Sequence, residues 1–242
     1  MALPKLDVPM YTLKLPSTGK EITYRPFLVK EEKILLMAME GGDEKEVTTA
    51  IKQIINNCLV SEDVDVTQLA IFDLEYILLN LRARSTGDII KLSYSKKECE
   101  RENCKPSEIL IDVNTIEIHK DKNHTNKIEI TKDVGLIMKY PDVNLISEYD
   151  ISSITENSNE KGFEIILKCI DQVYDADNVY SRSDYTDDEL REFVEGFNKE
   201  QFEKVENFFE TLPKMYKDVN FTCKECGYTE DFRLEGLASF FG

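Results

Sequence analysis

The sequence predicts an α+β fold in which helical bundle segments pack on a small antiparallel sheet. Three observations carry that prediction. Apolar residues recur at three- and four-residue spacing in residues 29–84 and 163–212, as in helices with one buried face. Between those stretches, residues 88–140 break into short β-branched and aromatic runs that read as strands. Two cysteine pairs, Cys99 with Cys104 and Cys223 with Cys226, each fall in a polar turn between strand-like runs. With 242 residues and 41% apolar content, the chain can bury a real core as one sizeable domain or two small ones.

Residues 1–87 open on an extended arm and a hairpin, where Tyr11, Leu13 and Leu15 alternate and Ile22 and Tyr24 resume the alternation after a turn. A first helix over residues 29–40 is apolar on most sides after Ile34 and stops at Gly41 and Gly42, a pattern that predicts burial. A second carries Val47, Ala50, Ile51, Ile54, Ile55, Cys58 and Leu59 as one stripe, with Asp43 as its N-cap. A third, over residues 67–84, sets Leu69, Phe72, Tyr76 and Leu79 on one face and ends at Gly87. Residues 88–141 supply the sheet and close at Pro141. Residues 142–213 form a helical insertion with three stripes. The first runs from Phe163 through Ile170 and Val173 to Tyr174, the second from Leu190 to Phe197, and the third from Phe202 to Leu212. The third opens at Asn198 with Gln201 three residues on, the form of a capping box. Residues 214–242 return to strand around Phe221 and Phe232 and finish in an apolar tail holding Leu237, Phe240 and Phe241. The four stretches read as one composite domain.

The cysteines point to a metal. A tetrahedral thiolate site needs two ligand pairs, each delivered by a tight turn, and Gly227 after Cys226 eases such a turn. The four-residue gap between Cys99 and Cys104 is within the range of zinc ligand pairs. Cys104 and Cys223 are separated by 118 residues. Closing a loop of that size adds on the order of 4 kcal/mol in its length-dependent part. A four-thiolate zinc site supplies roughly 10 to 16 kcal/mol. The expected result is one structural zinc in a split ribbon, with no open coordination position for catalysis. Cys58 and Cys169 sit among apolar neighbours on helical stripes and read as buried thiols.

Charge and missing motifs exclude other classes. A net charge of −17 sets this surface against phosphate backbones and anionic membranes. No early apolar run resembles a signal peptide and no later one approaches the roughly 18 residues of a membrane span, so a cytosolic protein with reduced thiols is expected. There is no Gly-rich phosphate loop, nucleophile elbow or His-containing triad, so neither enzyme activity nor a small-molecule substrate is expected. His119 and His124 fall in a Lys- and Asn-rich turn that reads as solvated. Asp175 and Asp177 begin like a calcium loop, but Val179 and Tyr180 stand where oxygen ligands would be needed. Residues 184–206 hold nine acidic and three basic residues, a solvated helix face or a docking face for a basic partner.

Three segments carry a resemblance: RPFLVKEEKILLMAME from Arg25, FDLEYILLNLRARSTG from Phe72, and FTCKECGYTEDFRLEGLASFFG from Phe221. In that order they resemble the baseplate hub assembly proteins of T-even-like contractile-tailed phages. The resemblance implies a virus-encoded, non-enzymatic factor whose partners are baseplate hub proteins. It would act in the host cytoplasm, as a released chaperone or as a minor subunit kept in the virion tail baseplate. Glu32, Lys33, Asp73, Arg82 and Arg84 match the pattern without a role attached, and ion pairs within the fold are their default reading. The apolar tail, Leu237 with Phe240 and Phe241, either folds back on the domain or anchors a partner. A zinc-ribbon regulator acting on phage or host transcription would use the same knuckles, but it needs a basic face that this composition lacks. The protein should therefore leave a DNA duplex unshifted at physiological salt, and sequence-independent micromolar binding in a mobility assay would revive the regulator.

Overall fold

In the computed structural model, residues 7–41, 44–94, 107–149 and 159–241 are described. Alternating apolar residues give strands β1 (Tyr11–Lys14) and β2 (Glu21–Tyr24), paired antiparallel with Leu13 opposite Ile22. Leu13, Leu15, Ile22 and Tyr24 are all buried, so this small hairpin is fixed by its inner face. The turn is tied down from a distance: the buried carboxylate of Asp73 accepts hydrogen bonds from the Ser17 backbone N–H at 3.0 Å and from the Ser17 hydroxyl. Burial raises the Asp73 pKa, and the two bonds from Ser17 oppose that rise.

Helix α1 (Val29–Gly41) starts where the Glu31 carboxylate accepts the Leu28 N–H at 2.8 Å, satisfying a donor that the first turn leaves open. It packs on α2 (Glu44–Cys58), whose stripe of Ala50, Ile54, Ile55 and Cys58 is buried as its spacing predicts. Asp43, the expected N-cap, lies outside the described residues. The expected burial of α1 is not found, since Val29, Leu36 and Met37 are 80%, 55% and 63% exposed. Apolar residues around a whole helix do not bury it when its neighbour covers one side, and here Glu31 and Ala38 mark the covered side. Helix α3 (Ile71–Thr86) starts later than expected, because residues 66–68 form a 3₁₀ turn first. It buries Phe72, Leu74, Ile77, Leu78, Leu79, Leu81 and Ala83, more of its circumference than one stripe, so it is the central helix of its unit.

The expected single sheet is divided. Among the described residues the strands form four antiparallel sheets. After β1 with β2 comes the hairpin of β3 (Ile89–Tyr94) with β4 (Ser107–Asp112). Strand β5 (Glu117–His119) joins β10 (Lys214–Thr222) and β11 (Thr229–Glu235) in the order β11-β10-β5. A 3₁₀ turn over Val113–Thr115 cuts β5 from β4, with the Asp112 side chain accepting from the Asn114 N–H. The fourth sheet has the order β6-β7-β8-β9, from β6 (Lys127–Glu129), β7 (Gly135–Met138), β8 (Ile170–Tyr174) and β9 (Val179–Ser181). Strand β8 corrects the sequence reading, which carried Ile170, Val173 and Tyr174 on as helix. Helical spacing there coincides with a β-branched run, and pairing with β7 decides between the two. The Tyr174 ring lies against Gly135 on β7, where a Cβ would collide with it. The abortive calcium motif is the β8–β9 turn, with Asp175 Oδ1 accepting from the N–H groups of Asp177 and Asn178, both at 2.8 Å.

The chain contains two units, each with its own core. One is Met1–Val66, Phe72–His119 and Lys214–Gly242; the other is Thr67–Ile71 and Lys120–Pro213. Besides the fourth sheet, the second unit holds α4 (Val143–Tyr149), α5 (Asn159–Cys169), α6 (Asp187–Glu195) and α7 (Lys199–Glu210). Capping boxes open α6 at Thr186 with Glu189 and α7 at Asn198 with Gln201, the latter as the sequence indicates. Leu136, Ile170, Leu190, Val194, Val205 and Phe208 fill the core of this unit. His124 is not solvated as expected: it is 8% exposed, with Nδ1 2.9 Å from the Thr211 hydroxyl and Nε2 3.2 Å from the Tyr140 hydroxyl. Burial, helped by Lys120, lowers its pKa and keeps the ring neutral.

In the first unit, the partly exposed guanidinium of Arg25 pairs with the fully buried carboxylate of Glu31 at 2.9 Å. Burial alone would raise the Glu31 pKa, but bonds from Arg25, the Leu28 N–H and Lys30 outweigh it and hold the carboxyl below its ordinary value. Glu31→Ala removes the carboxylate partner of a guanidinium that keeps its bonds to the Pro26 and Asn57 carbonyls, and should lower stability by about 1 to 3 kcal/mol in thermal or urea melts at pH 7. Because the folded pKa is depressed, the stabilisation is complete above about pH 5 and is lost as pH falls through the folded value. The gap between wild type and variant should therefore close only in acid.

Candidate functional site

In the first unit, the Tyr94 end of the β3–β4 pair packs beside the turn end of the β10–β11 hairpin. The β3–β4 hairpin keeps register from Ile89 opposite Asp112 to Tyr94 opposite Ser107, and the β10–β11 hairpin from Tyr216 opposite Glu235 to Thr222 opposite Thr229. Tyr94 locks them side by side. Its ring stacks on Phe232 at 4.7 Å and tilts against Phe221 at 4.8 Å, while its hydroxyl donates to Glu230 Oε2 at 2.7 Å. The chain leaves Tyr94 into residues 95–106, which hold Cys99 and Cys104 and lie outside the described residues.

The other hairpin closes through Cys223 and Cys226. The Cys223 carbonyl accepts the Gly227 N–H at 2.9 Å and the Cys223 N–H donates to the Tyr228 carbonyl at 2.8 Å, a closed turn that brings Gly227 to φ 74°. Only glycine takes that angle without strain, which is the role its place after Cys226 suggested. Cys223 is buried and Cys226 half-buried. The turn thus carries two thiols three residues apart. Among the described residues alone, no group of three or more His, Cys, Asp or Glu side chains could hold a metal.

The other cysteines are of a different kind. Cys58 and Cys169 are fully buried, and burial pushes their thiols up to about 11 and about 12. Such groups stay protonated and do not act as ligands or nucleophiles at neutral pH. Cys58 Sγ lies 3.7 Å from the Arg25 guanidinium, which also donates to the carbonyls of Pro26 and Asn57 at 2.9 Å each.

Among the charged residues singled out by sequence, Glu32 and Lys33 are exposed on α1 and Asp73 is the buried anchor of Ser17. Arg82 is half-buried, and Arg84 lies over the Tyr11 ring at 5.2 Å and 4.0 Å from Asp88. The sequence reading missed Arg25 with Glu31, one position away from Glu32. Its signal was present, since Glu31 stands three residues after the helix-opening Leu28. In the acidic stretch, Arg191 pairs with Glu164 and Glu195, Lys199 with Glu203, and Lys204 donates to the carbonyls of Glu129 and Ile130.

The tail forms helix α8 (Gly236–Phe241), entered through Gly236 at φ 71°. Phe240 is fully buried with Ile90, Ile111, Val113 and Met215, so this ring holds the tail onto its own unit. The side chains of Leu237 and Phe241 lie outside the described residues.

Fold and site together define an α+β protein of small antiparallel sheets, closed by a chain end that returns to its middle. A family model described as T4 bacteriophage base plate protein matches residues 8–242, and the chain belongs to that family of T4-like phage baseplate proteins. The comparisons with curated proteins and with solved structures return no match. No helix among the described residues is long and apolar enough to cross a membrane. Since Phe240 fills the core, Phe240→Ala should cost about 3 to 5 kcal/mol of stability, readable as a lower urea midpoint.

Proposed function

We propose that this protein is a non-enzymatic assembly factor for the central hub of the phage baseplate, working by contact with hub proteins in the host cytoplasm. The family match over residues 8–242 carries the reading. The three segments that resemble hub assembly proteins add to it, as does a net charge of −17, which suits a protein partner better than nucleic acid. The role is that of a chaperone released on completion or of a minor subunit retained in the tail. An infecting phage that lacks the gene should accumulate heads and sheath subunits while complete baseplates and attached tails fail to appear. Normal contractile tails in electron micrographs of those lysates would overturn the assignment.

We further propose that Cys99, Cys104, Cys223 and Cys226 hold one structural zinc that ties the two hairpin ends. The support is geometric: Tyr94, at the entrance to the segment with the first pair, packs on Phe221 and Phe232, which flank the turn with the second. Zinc bound there would cross-link the hairpins and supply no reactive position. Metal analysis of protein purified under reducing conditions should find about one zinc per chain, and Cys223→Ser should lose it together with much of the stability. Metal-free wild type with an unchanged melt would sink the zinc.

A further inference from the structure

Among the described residues, nothing covers one face of helix α1. Val29, Lys33, Leu36, Met37 and Glu40 follow at helical spacing and share a face, opposite the side marked by buried Glu31 and Ala38. Val29, Leu36 and Met37 are 80%, 55% and 63% exposed, and Leu28 just before the helix is 40% exposed. Three large apolar side chains in line on one short helix form a patch, whereas scattered ones need no explanation. Met37 adds a flexible, polarisable side chain of the kind used at adaptable interfaces.

The charges around the stripe select its occupant. The last turn of α1 has no basic residue of its own to offset the partial negative charge of its C-terminal carbonyls. Exposed Glu40 lies in that turn, and Glu46 in the first turn of α2 reaches to 2.9 Å from where a Gly41 Cβ would sit. The Met37 end of the stripe is thus anionic. A second copy of this chain would bring the same anionic end and another net charge of −17. A narrow apolar stripe on a helix accepts another helix through anchors at three-, four- and seven-residue spacing.

We infer that this face of α1 docks an amphipathic helix of another baseplate protein, whose apolar stripe is flanked at one end by Lys or Arg. The inference rests on the reading above that the protein works by contact with baseplate components. Leu36 and Met37 form the apolar centre of the contact, and Glu40 with Glu46 fixes the direction in which the partner helix lies.

Photo-crosslinking in infected cells tests it. The full chain carries benzoylphenylalanine in place of Lys33, or in place of exposed Lys132 in the β6–β7 turn as a control. Lys33 should give a cross-link to a baseplate-protein segment with an apolar helical stripe and adjacent basic residues, and Lys132 should not. Adding Leu36→Ser with Met37→Ser should cut that cross-link by about tenfold, as expected for central apolar anchors. Glu40→Lys, which leaves the apolar contacts intact, should also reduce it and guards against misfolding of the double variant. A cross-link to a second copy of this chain, to a segment without basic residues, or to nothing overturns the inference, as does a yield unchanged by the substitutions. Failure of the assembly reading shows separately, as normal baseplates from phage lacking the gene, while the Lys33 cross-link still decides whether α1 docks a helix.

Discussion

The first unit has a core that three separated stretches of chain must share. Leu79 and Ala83 come from α3, Ile90, Ile111 and Val113 from the β3–β4 region, and Met215, Val219 and Phe240 from the last strands and helix. Lys214 pairs with His119 and Tyr216 with Glu117, so the sheet that backs this core exists only when the end of the chain has returned to its middle. Everything between, from Lys120 to Pro213, belongs to the other unit. The entropy of closing so long an excursion grows only with the logarithm of its length, so burial of a few large apolar side chains can offset it. Contacts this distant in sequence raise the contact order of the first unit, which slows folding relative to a locally connected domain.

How much of this was legible in the sequence depends on whether a signal was local. The Asn198 and Gln201 capping box, the α2 stripe and the glycine after Cys226 are local, and each is found where its residues indicate. Segment 170–174 was misread because its spacing suits a helix, while its partner, β7, lies far back in the chain. His124 was misread for the same reason: a polar neighbourhood in sequence says nothing of Thr211 and Tyr140, which enclose the ring in space. The break between β4 and β5 follows from a local event, the Asp112-capped turn over Val113–Thr115, too short to stand out among strand-like residues.

Buried charge in this protein locates the chain more than it drives folding. Arg25 gathers the exit of β2, the start of α1 through Glu31 and the end of α2 through the Asn57 carbonyl, while Asp73 pins the β1–β2 turn to α3. Replaced by well-packed apolar groups, such pairs often leave stability unchanged or improve it. What they add here is direction, since an ion pair with fixed hydrogen bonds tolerates less sliding than an apolar contact. They orient α1 with Glu31 and Ala38 inward, and its apolar outer stripe is left in water as a result.

The same reasoning bears on the cysteines. A zinc ion that had to assemble four ligands from unrelated places would spend much of its binding energy on ordering the chain. Here the Tyr94 ring between Phe221 and Phe232, with its hydroxyl on Glu230, already sets one hairpin end beside the other. The Cys223 turn is likewise closed by its own backbone hydrogen bonds. A metal bound through the four cysteines would meet Cys223 and Cys226 already placed on one closed turn. Its stabilising effect would then fall mainly on the join between the two hairpins, where the returning chain end completes the first unit.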